Sequence, residues 1–121
     1  LEPVSLPQNP SEKEIAAALE KEGAELLKRA KGFCIAMCIE GKQLDSTGLA
    51  KKLEQAAQGG ENGAVTFLIG SSYGLADAVK QRANLRLSMS AMTFPHQLAR
   101  VMLLEQIYRS YQILSGTKYH K

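Results

Sequence analysis

The sequence lacks the long apolar runs of membrane proteins. Its longest uncharged apolar run is far below the ~20 residues that a membrane-spanning helix requires, so we expect no membrane partner. The chain also lacks a low-complexity tract and the basic start with an apolar core that marks a signal peptide. Its first residue is not Met, and we expect it to begin partway into a longer protein. Its composition, 45% apolar and 22% charged, is ordinary for a globular domain.

Cysteine is also scarce, because the chain has only Cys34 and Cys38, in the segment GFCIAMCIE. If this segment is a β-strand, the two side chains share a face at a separation of ~13 Å, from a rise of ~3.3 Å per residue. That distance is too long for an unstrained disulfide or for one shared metal ion. The pattern predicts buried thiols in a reducing compartment, which we take to be the cytoplasm, and no metal site.

The charge balance is modest, with a formal net charge of +3. Such a value permits a nucleic-acid partner without requiring one. Cations and histidines gather in the last quarter of the chain, at Arg100, Arg109, Lys118 and Lys121, with His96 and His120. Two interpretations stay open, a nucleic-acid surface and an ordinary solvated face, and charge alone favours the second.

Helical and strand patterns alternate along the chain. Ser11 and Glu14 have the spacing of a capping box before a helix, and Ser46 is the predicted N-cap of a second helix. FCIAMCI, AVTFLI and LRLSMS are the predicted strands, with a turn at Gly41-Lys42 after the first, and two more helices are predicted in LADAVKQRA and HQLARVMLLEQIYRSYQILSG. The alternation favours an α/β fold with a parallel-rich sheet flanked by helices. The residues predicted to face inward are Ile15, Leu19, Leu26, Leu27 and Ala30 in the first helix and Leu49, Leu53, Ala56 and Ala57 in the second.

The last helix has too many apolar residues for a single stripe. They include Leu98, Val101, Met102, Leu104, Ile107, Tyr108, Tyr111 and Leu114. A helix with two apolar faces must bury both, either against a partner subunit or between layers of its own chain. Both arrangements stay open on the pattern alone.

Three loops follow the predicted strands, at residues 40–42, 70–74 and 91–96. Ligand sites in parallel α/β sheets lie beyond the carboxyl ends of the strands, so we expect the three loops to converge on one pocket. The loop at 70–74 also matches the G-x-S-x-G pattern of a hydrolase nucleophile. The matching triad would be Ser72, Glu105 and His120, but Glu105 is inside a helix and His120 is at a fraying chain end. Two interpretations of the segment then stay open, a glycine loop that brings bare backbone against a ligand and a structural tight turn, and the residues alone favour the turn.

Several segments in combination resemble one known family. The C-terminal segments MTFPHQ, EQIYR and YHK, together with IGSSYGL, IEGK and Lys21-Glu22-Gly23, resemble the RlmH family. Its members are bacterial pseudouridine N3-methyltransferases of large-subunit ribosomal RNA and belong to the SPOUT superfamily. The likeness covers nearly the whole chain. It implies that residues 1–121 form a single SPOUT methyltransferase domain that lacks an N-terminal strand and helix of the family.

The resemblance also implies a deep trefoil knot near the C-terminus, a homodimer and S-adenosylmethionine as the methyl donor. Carried onto this sequence, the cofactor-binding residues are Met37, Gly70, Met89, Ser90, Ala91, Met92, Thr93 and Phe94. Ser71 departs from the family, which usually has Gly at this position. Because a side chain there would adjoin the expected cofactor, Ser71 makes the fit of the loop a point to test.

Methyl transfer to N3 of pseudouridine requires loss of the N3 proton, and thus a base or a cation that stabilises the anion. The candidate catalytic residues are His96, Arg100 and Glu105, and the candidate RNA-binding residues are Arg109, Lys118, Tyr119 and His120. Structural roles are the alternatives: a helix cap for His96, an i,i+4 ion pair for Glu105 and Arg109, and a solvated face for Arg100. The predicted function is ribosomal RNA methylation. The alternative is a catalytically silent SPOUT protein that binds RNA.

Overall fold

The protein is an α/β domain in which helices flank a parallel sheet. The structure is a computed structural model that describes residues 11–70 and 74–118, except for the side chain of His96. Its elements are α1 (Glu12–Arg29), β1 (Phe33–Gln43), α2 (Ser46–Ala57), α3 (Gly60–Gly63), β2 (Val65–Leu68), α4 (Asp77–Arg82), β3 (Leu85–Ser88) and α5 (His96–Leu114). The predicted fold class is therefore confirmed, while the knot stays a prediction. Ser71, Ser72, Tyr119 and His120 lie outside the described residues.

The described sheet has the order β2-β1-β3, with β1 parallel to both neighbours. Successive side chains of β1 point to opposite faces of the sheet, and in the first half of the strand both faces are buried. Cys34 and Ala36 point to one face, where they pack with Val79 of α4 and with apolar residues of α1. Ile35 points to the other face and packs with Leu53 of α2. Helices thus cover both faces of the sheet, as a parallel sheet requires.

The first helix begins as the sequence predicts. The Ser11 hydroxyl accepts a hydrogen bond from the Glu14 backbone N–H at 3.2 Å, and the Glu14 carboxylate accepts one from the Ser11 N–H at 3.2 Å, which completes the capping box. The predicted large apolar side chains of α1 are only half-buried, and the buried positions are Ala18 and Gly23. A Cβ on Gly23 would lie 3.0 Å from the Cβ of Ala76, so small residues allow α1 to approach the start of α4 closely.

The predicted turn at Gly41-Lys42 is wrong, because β1 continues to Gln43. Met37 and Lys42 are both in register with Leu87 of β3, so the four residues between them form an irregularity in the ladder. A Cβ on Gly41 would lie 2.7 Å from the backbone carbon of Arg86. The glycine is therefore required by close approach of two strands, and not by a turn.

Three smaller predictions also need correction. The N-cap of α2 is Asp45 instead of Ser46, since the Asp45 carboxylate accepts a hydrogen bond from the Gly48 N–H at 2.7 Å. Ala57 is exposed, although Leu49, Leu53 and Ala56 are buried as predicted, because Ala57 points about 100° away from the buried Ala56 around the helix axis. Cys38 is only half-buried, whereas Cys34 is fully buried, because Cys38 lies in the irregular part of β1; both are free thiols.

The ends of the glycine loop after β2 touch each other. A Cβ on Gly70 would lie 2.2 Å from the carbonyl oxygen of Gly74, which is shorter than any real contact of a Cβ. Gly74 has φ +89°, in the region that side chains disfavour. Both glycines are thus required by the backbone path, Gly70 by contact and Gly74 by conformation.

We expect Gly70→Ala to lower the free energy of unfolding by about 1–3 kcal/mol, the usual cost of forcing extra volume into a packed site. Gly60→Ala is the matched control, because a Cβ at Gly60 would have nothing within 4 Å and its φ is not in the left-handed region. The control should be neutral or slightly stabilised. Urea unfolding measures both variants, and equal stability of the two would contradict the constraint at Gly70.

Candidate functional site

A cavity of about 580 Å³ lies at the carboxyl ends of the three strands. Glu40 comes from β1, Gly70 and Gly74 from the glycine loop, and residues 92–95 from the connection that leads to α5. The predicted convergence of the three loops is therefore confirmed. The same edge of the sheet was expected to hold the ligand site, since parallel strands all end there.

The candidate cofactor residues cluster around this cavity. Seven of the eight line it: Met37, Gly70, Met89, Ser90, Met92, Thr93 and Phe94. Ala91 does not, and it is exposed. The structure thus brings these residues together across more than fifty positions of sequence, and their role in binding a cofactor stays a prediction.

Two serines turn the chain as it leaves β3. The hydroxyl of Ser88, which is buried, donates a hydrogen bond to the carbonyl oxygen of Ser90 at 3.0 Å. The hydroxyl of Ser90 in turn accepts one from the N–H of Met92 at 3.0 Å. Such side-chain contacts with the backbone two residues away stabilise tight turns. The turns keep Met89 and Met92 on the lining of the cavity.

An ion pair also lines the cavity. The Lys80 ammonium donates a hydrogen bond to the Glu40 carboxylate at 2.5 Å, between α4 and β1. This bond lowers the pKa of Glu40 and raises that of Lys80, so both groups are charged at neutral pH. Burial raises the pKa of the adjacent Cys38 thiol, which is therefore protonated at neutral pH. Sequence reasoning missed the pair, because no local pattern links residues 40 positions apart.

Two of the three candidate catalytic residues, Arg100 and Glu105, are not among the described residues that line the cavity. His96 begins α5 directly after Pro95, which lines the cavity, and its side chain lies outside the described part of the structure. Arg100 follows Ala99, the last lining residue, but its side chain is exposed. Glu105 lies six residues beyond Ala99, about 9 Å along the helix axis.

The two candidate RNA-binding residues that the structure describes, Arg109 and Lys118, do not line the cavity. Arg109 donates a hydrogen bond from Nε to Oε1 of Glu105 at 2.7 Å, which is the i,i+4 ion pair foreseen as the structural alternative. Lys118 is exposed after the end of α5. The last candidates, Tyr119 and His120, fall outside the described residues. In residues 11–70 and 74–118, no group of three or more His, Cys, Asp or Glu side chains could hold a metal ion.

None of the helices in the described residues is long and apolar enough to span a bilayer.

Comparison with known proteins identifies the family of this chain. Residues 1–120 match the sequence model of a family described as "Predicted SPOUT methyltransferase". A Streptococcus thermophilus protein named ribosomal RNA large subunit methyltransferase H is 49% identical over 117 residues, which cover 95% of this chain and 73% of that protein. A Clostridioides difficile protein of the same name matches with the same identity and coverage. The chain therefore belongs to the family of ribosomal RNA large subunit methyltransferase H, the RlmH family of SPOUT methyltransferases.

Proposed function

We propose that the protein is an S-adenosylmethionine-dependent methyltransferase that modifies N3 of a pseudouridine in large-subunit ribosomal RNA. The observation that carries this proposal is the cavity at the strand ends, lined by seven of the eight residues expected to bind the cofactor. The names of relatives that are 49% identical over 95% of the chain support ribosomal RNA as the substrate. A cytoplasmic location is part of the proposal, and the ribosomal RNA substrate supports it.

The cavity fits the proposed cofactor in size and in chemistry. Its volume of about 580 Å³ is within the ~300–1,000 Å³ of small-molecule sites. Met37, Met89 and Phe94 provide the apolar surface that a purine ring requires, and bare backbone at Gly70 can approach its polar edge. Bound S-adenosylmethionine would supply an electrophilic methyl group on a positively charged sulfur atom.

The protein must position the uracil ring and stabilise the anion formed when N3 loses its proton. His96 and Arg100 are the nearest candidates, since both lie in the first turns of α5, beside the lining residues Pro95 and Ala99. We propose that the Arg100 guanidinium stabilises the uracil anion or binds a neighbouring phosphate. His96 is the candidate base that removes the N3 proton. Glu105 is a weaker candidate for proton transfer, because its carboxylate is paired with Arg109.

A homodimer is part of the proposal, and the surface of α5 supports it. Six large apolar residues on this helix have 36% to 61% of their surface exposed: Leu98, Val101, Leu104, Tyr108, Tyr111 and Leu114. The central four, Val101, Leu104, Tyr108 and Tyr111, lie within about 80° of one another around the helix and so share one face, with Leu98 and Leu114 at its two edges. A second copy would bury this face and bring its own α5 towards the cavity. Each site would then combine a cofactor cavity from one chain with RNA-binding residues from the other.

The trefoil knot also belongs to the proposal. Residues 92–95 and the two glycines, Gly70 and Gly74, line the same cavity although they leave different strands. Parallel strands bring their following loops together with or without a knot, so the proposed knot rests on the match of the chain to a SPOUT family. Knotted topology is otherwise rare in proteins.

Calorimetric titration with S-adenosylmethionine, followed by methyl transfer to ribosomes that lack the modification, tests the proposed activity. We expect wild-type protein to bind the donor and to methylate N3. Arg100→Ala should keep donor binding and lose roughly 10²-fold in transfer rate, the usual cost of removing one stabilising group. Arg29→Ala, at an exposed arginine in the last turn of α1, is the control and should leave the rate unchanged. RNA binding without donor binding would instead identify a catalytically silent relative.

Light scattering tests the proposed dimer. Leu104→Glu places a charge in the centre of the exposed apolar face, where dimerisation would have to bury it, so we expect a monomer. Ala16→Glu adds the same charge at an exposed position of α1 and should remain dimeric. A monomeric wild-type protein, or a dimer that Leu104→Glu leaves intact, would contradict the assigned interface.

A further inference from the structure

The Glu40–Lys80 ion pair lies in an unusual place for a stabilising interaction. Glu40 belongs to the four residues between Met37 and Lys42 that form the irregularity in the β1–β3 ladder. Lys80 follows Val79, which is fully buried in the core and so fixes the position of α4. The two side chains meet at the cavity from elements that are distant in sequence.

The pair contributes little to stability, because the Glu40 side chain is 59% exposed and solvent screens the attraction. The Lys80 side chain is only 23% exposed, so its ammonium is held against the cavity wall. The attraction between the two charges is weak, so what matters for ligand binding is their position on the wall of the cavity. A cavity that is otherwise mostly apolar has one positive and one negative group at the same point.

The rest of the lining indicates which part of a ligand reaches that point. The apolar surface of Met37, Met89 and Phe94 suits an aromatic ring. Glu40 lies three residues beyond Met37, at most ~11 Å along the chain. A ligand with its ring on the apolar surface would therefore extend its other end towards Glu40 and Lys80. An α-amino acid group has one positive and one negative charge on adjacent atoms, which complements the pair.

We propose that Glu40 and Lys80 bind the amino-acid end of the methyl donor, with the Glu40 carboxylate accepting from the α-ammonium and the Lys80 ammonium donating to the α-carboxylate. The proposal rests on the proposed function and adds a recognition role for two residues that the family resemblance did not assign to the cofactor. The ligand would join the existing ion pair as a second, oppositely ordered pair of charges. Such charge-assisted hydrogen bonds are stronger than neutral ones.

Two nucleosides that differ at this end test the proposal by calorimetry. S-adenosylhomocysteine keeps the amino-acid end, whereas 5′-methylthioadenosine has the adenosine and the sulfur atom without it. We expect Glu40→Gln and Lys80→Met each to weaken S-adenosylhomocysteine binding by roughly 10- to 100-fold, from the usual strength of one charged hydrogen bond. Binding of 5′-methylthioadenosine should change by less than about twofold, since each lost contact involves only the missing group.

The exposed ion pair between Glu25 and Lys28 on α1 provides the matched control. Glu25→Gln and Lys28→Met remove the same charges away from the cavity and should leave both affinities unchanged. Circular dichroism and thermal unfolding verify that the four variants fold. This check separates loss of a contact from loss of structure.

Three outcomes would overturn the proposal, and they differ from failure of the proposed function. Equal weakening of both nucleosides in the Glu40 and Lys80 variants would assign the pair to the shape of the cavity. Unchanged binding of S-adenosylhomocysteine would show that the pair does not contact the ligand. If the wild-type protein bound both nucleosides with equal affinity, it would not recognise the amino-acid end of the ligand. The proposed methyltransferase function would still stand. If the wild-type protein bound neither nucleoside, the proposed function itself would be rejected.

Discussion

The pairing of β1 with a parallel strand on each edge determines how the rest of the molecule is arranged. Parallel neighbours require that the chain return to the start of the sheet after each strand, and α2 and α4 make those returns on opposite faces. All three strands then end at one edge. The segments that follow them are brought together there, and the cavity forms between them.

Close backbone contacts at this edge set the shape of the cavity. Gly41 passes the backbone of Arg86, and Gly70 contacts Gly74, at distances that leave no room for a Cβ. A side chain at either glycine would separate segments that line or border the cavity. Gly41 and Gly70 therefore help to shape the cavity because they have no side chains, just as other residues shape it with the side chains that line it.

The sequence was sufficient for features that depend on local periodicity and capping. The Ser11–Glu14 capping box and the apolar runs of the three strands correspond to the structure, because near neighbours determine them. The family resemblance selected seven of the residues that line the cavity, but it gave them only as a set without geometry. Its geometry depends on the sheet, whose pairing brings segments from distant parts of the chain to one edge.

Interactions between distant segments explain what sequence reasoning missed. The local sequence around Gly41 is typical of a turn, yet glycine is required there because the backbone contacts Arg86, 45 positions later in the chain. The Glu40–Lys80 pair likewise joins residues that no periodic pattern connects. In α1, Ala18 and Gly23 are buried because the helix packs closely, whereas hydrophobic periodicity assigned that role to larger side chains. In each case the deciding partner belongs to another element.

The course of α5 separates the two tasks that the proposed reaction requires. The helix begins at the cavity, with Pro95 and Ala99 in the lining, and then leads away from it. Beyond the first turns it presents one apolar face and the Glu105–Arg109 pair, which cannot reach the same cavity without moving the helix. The cavity of one chain has the volume of a small-molecule site, but Glu105 and Arg109 are not among the described residues that line it. In the proposed dimer, a second copy would cover the exposed apolar face of α5, and the α5 helices of the two copies would then lie together.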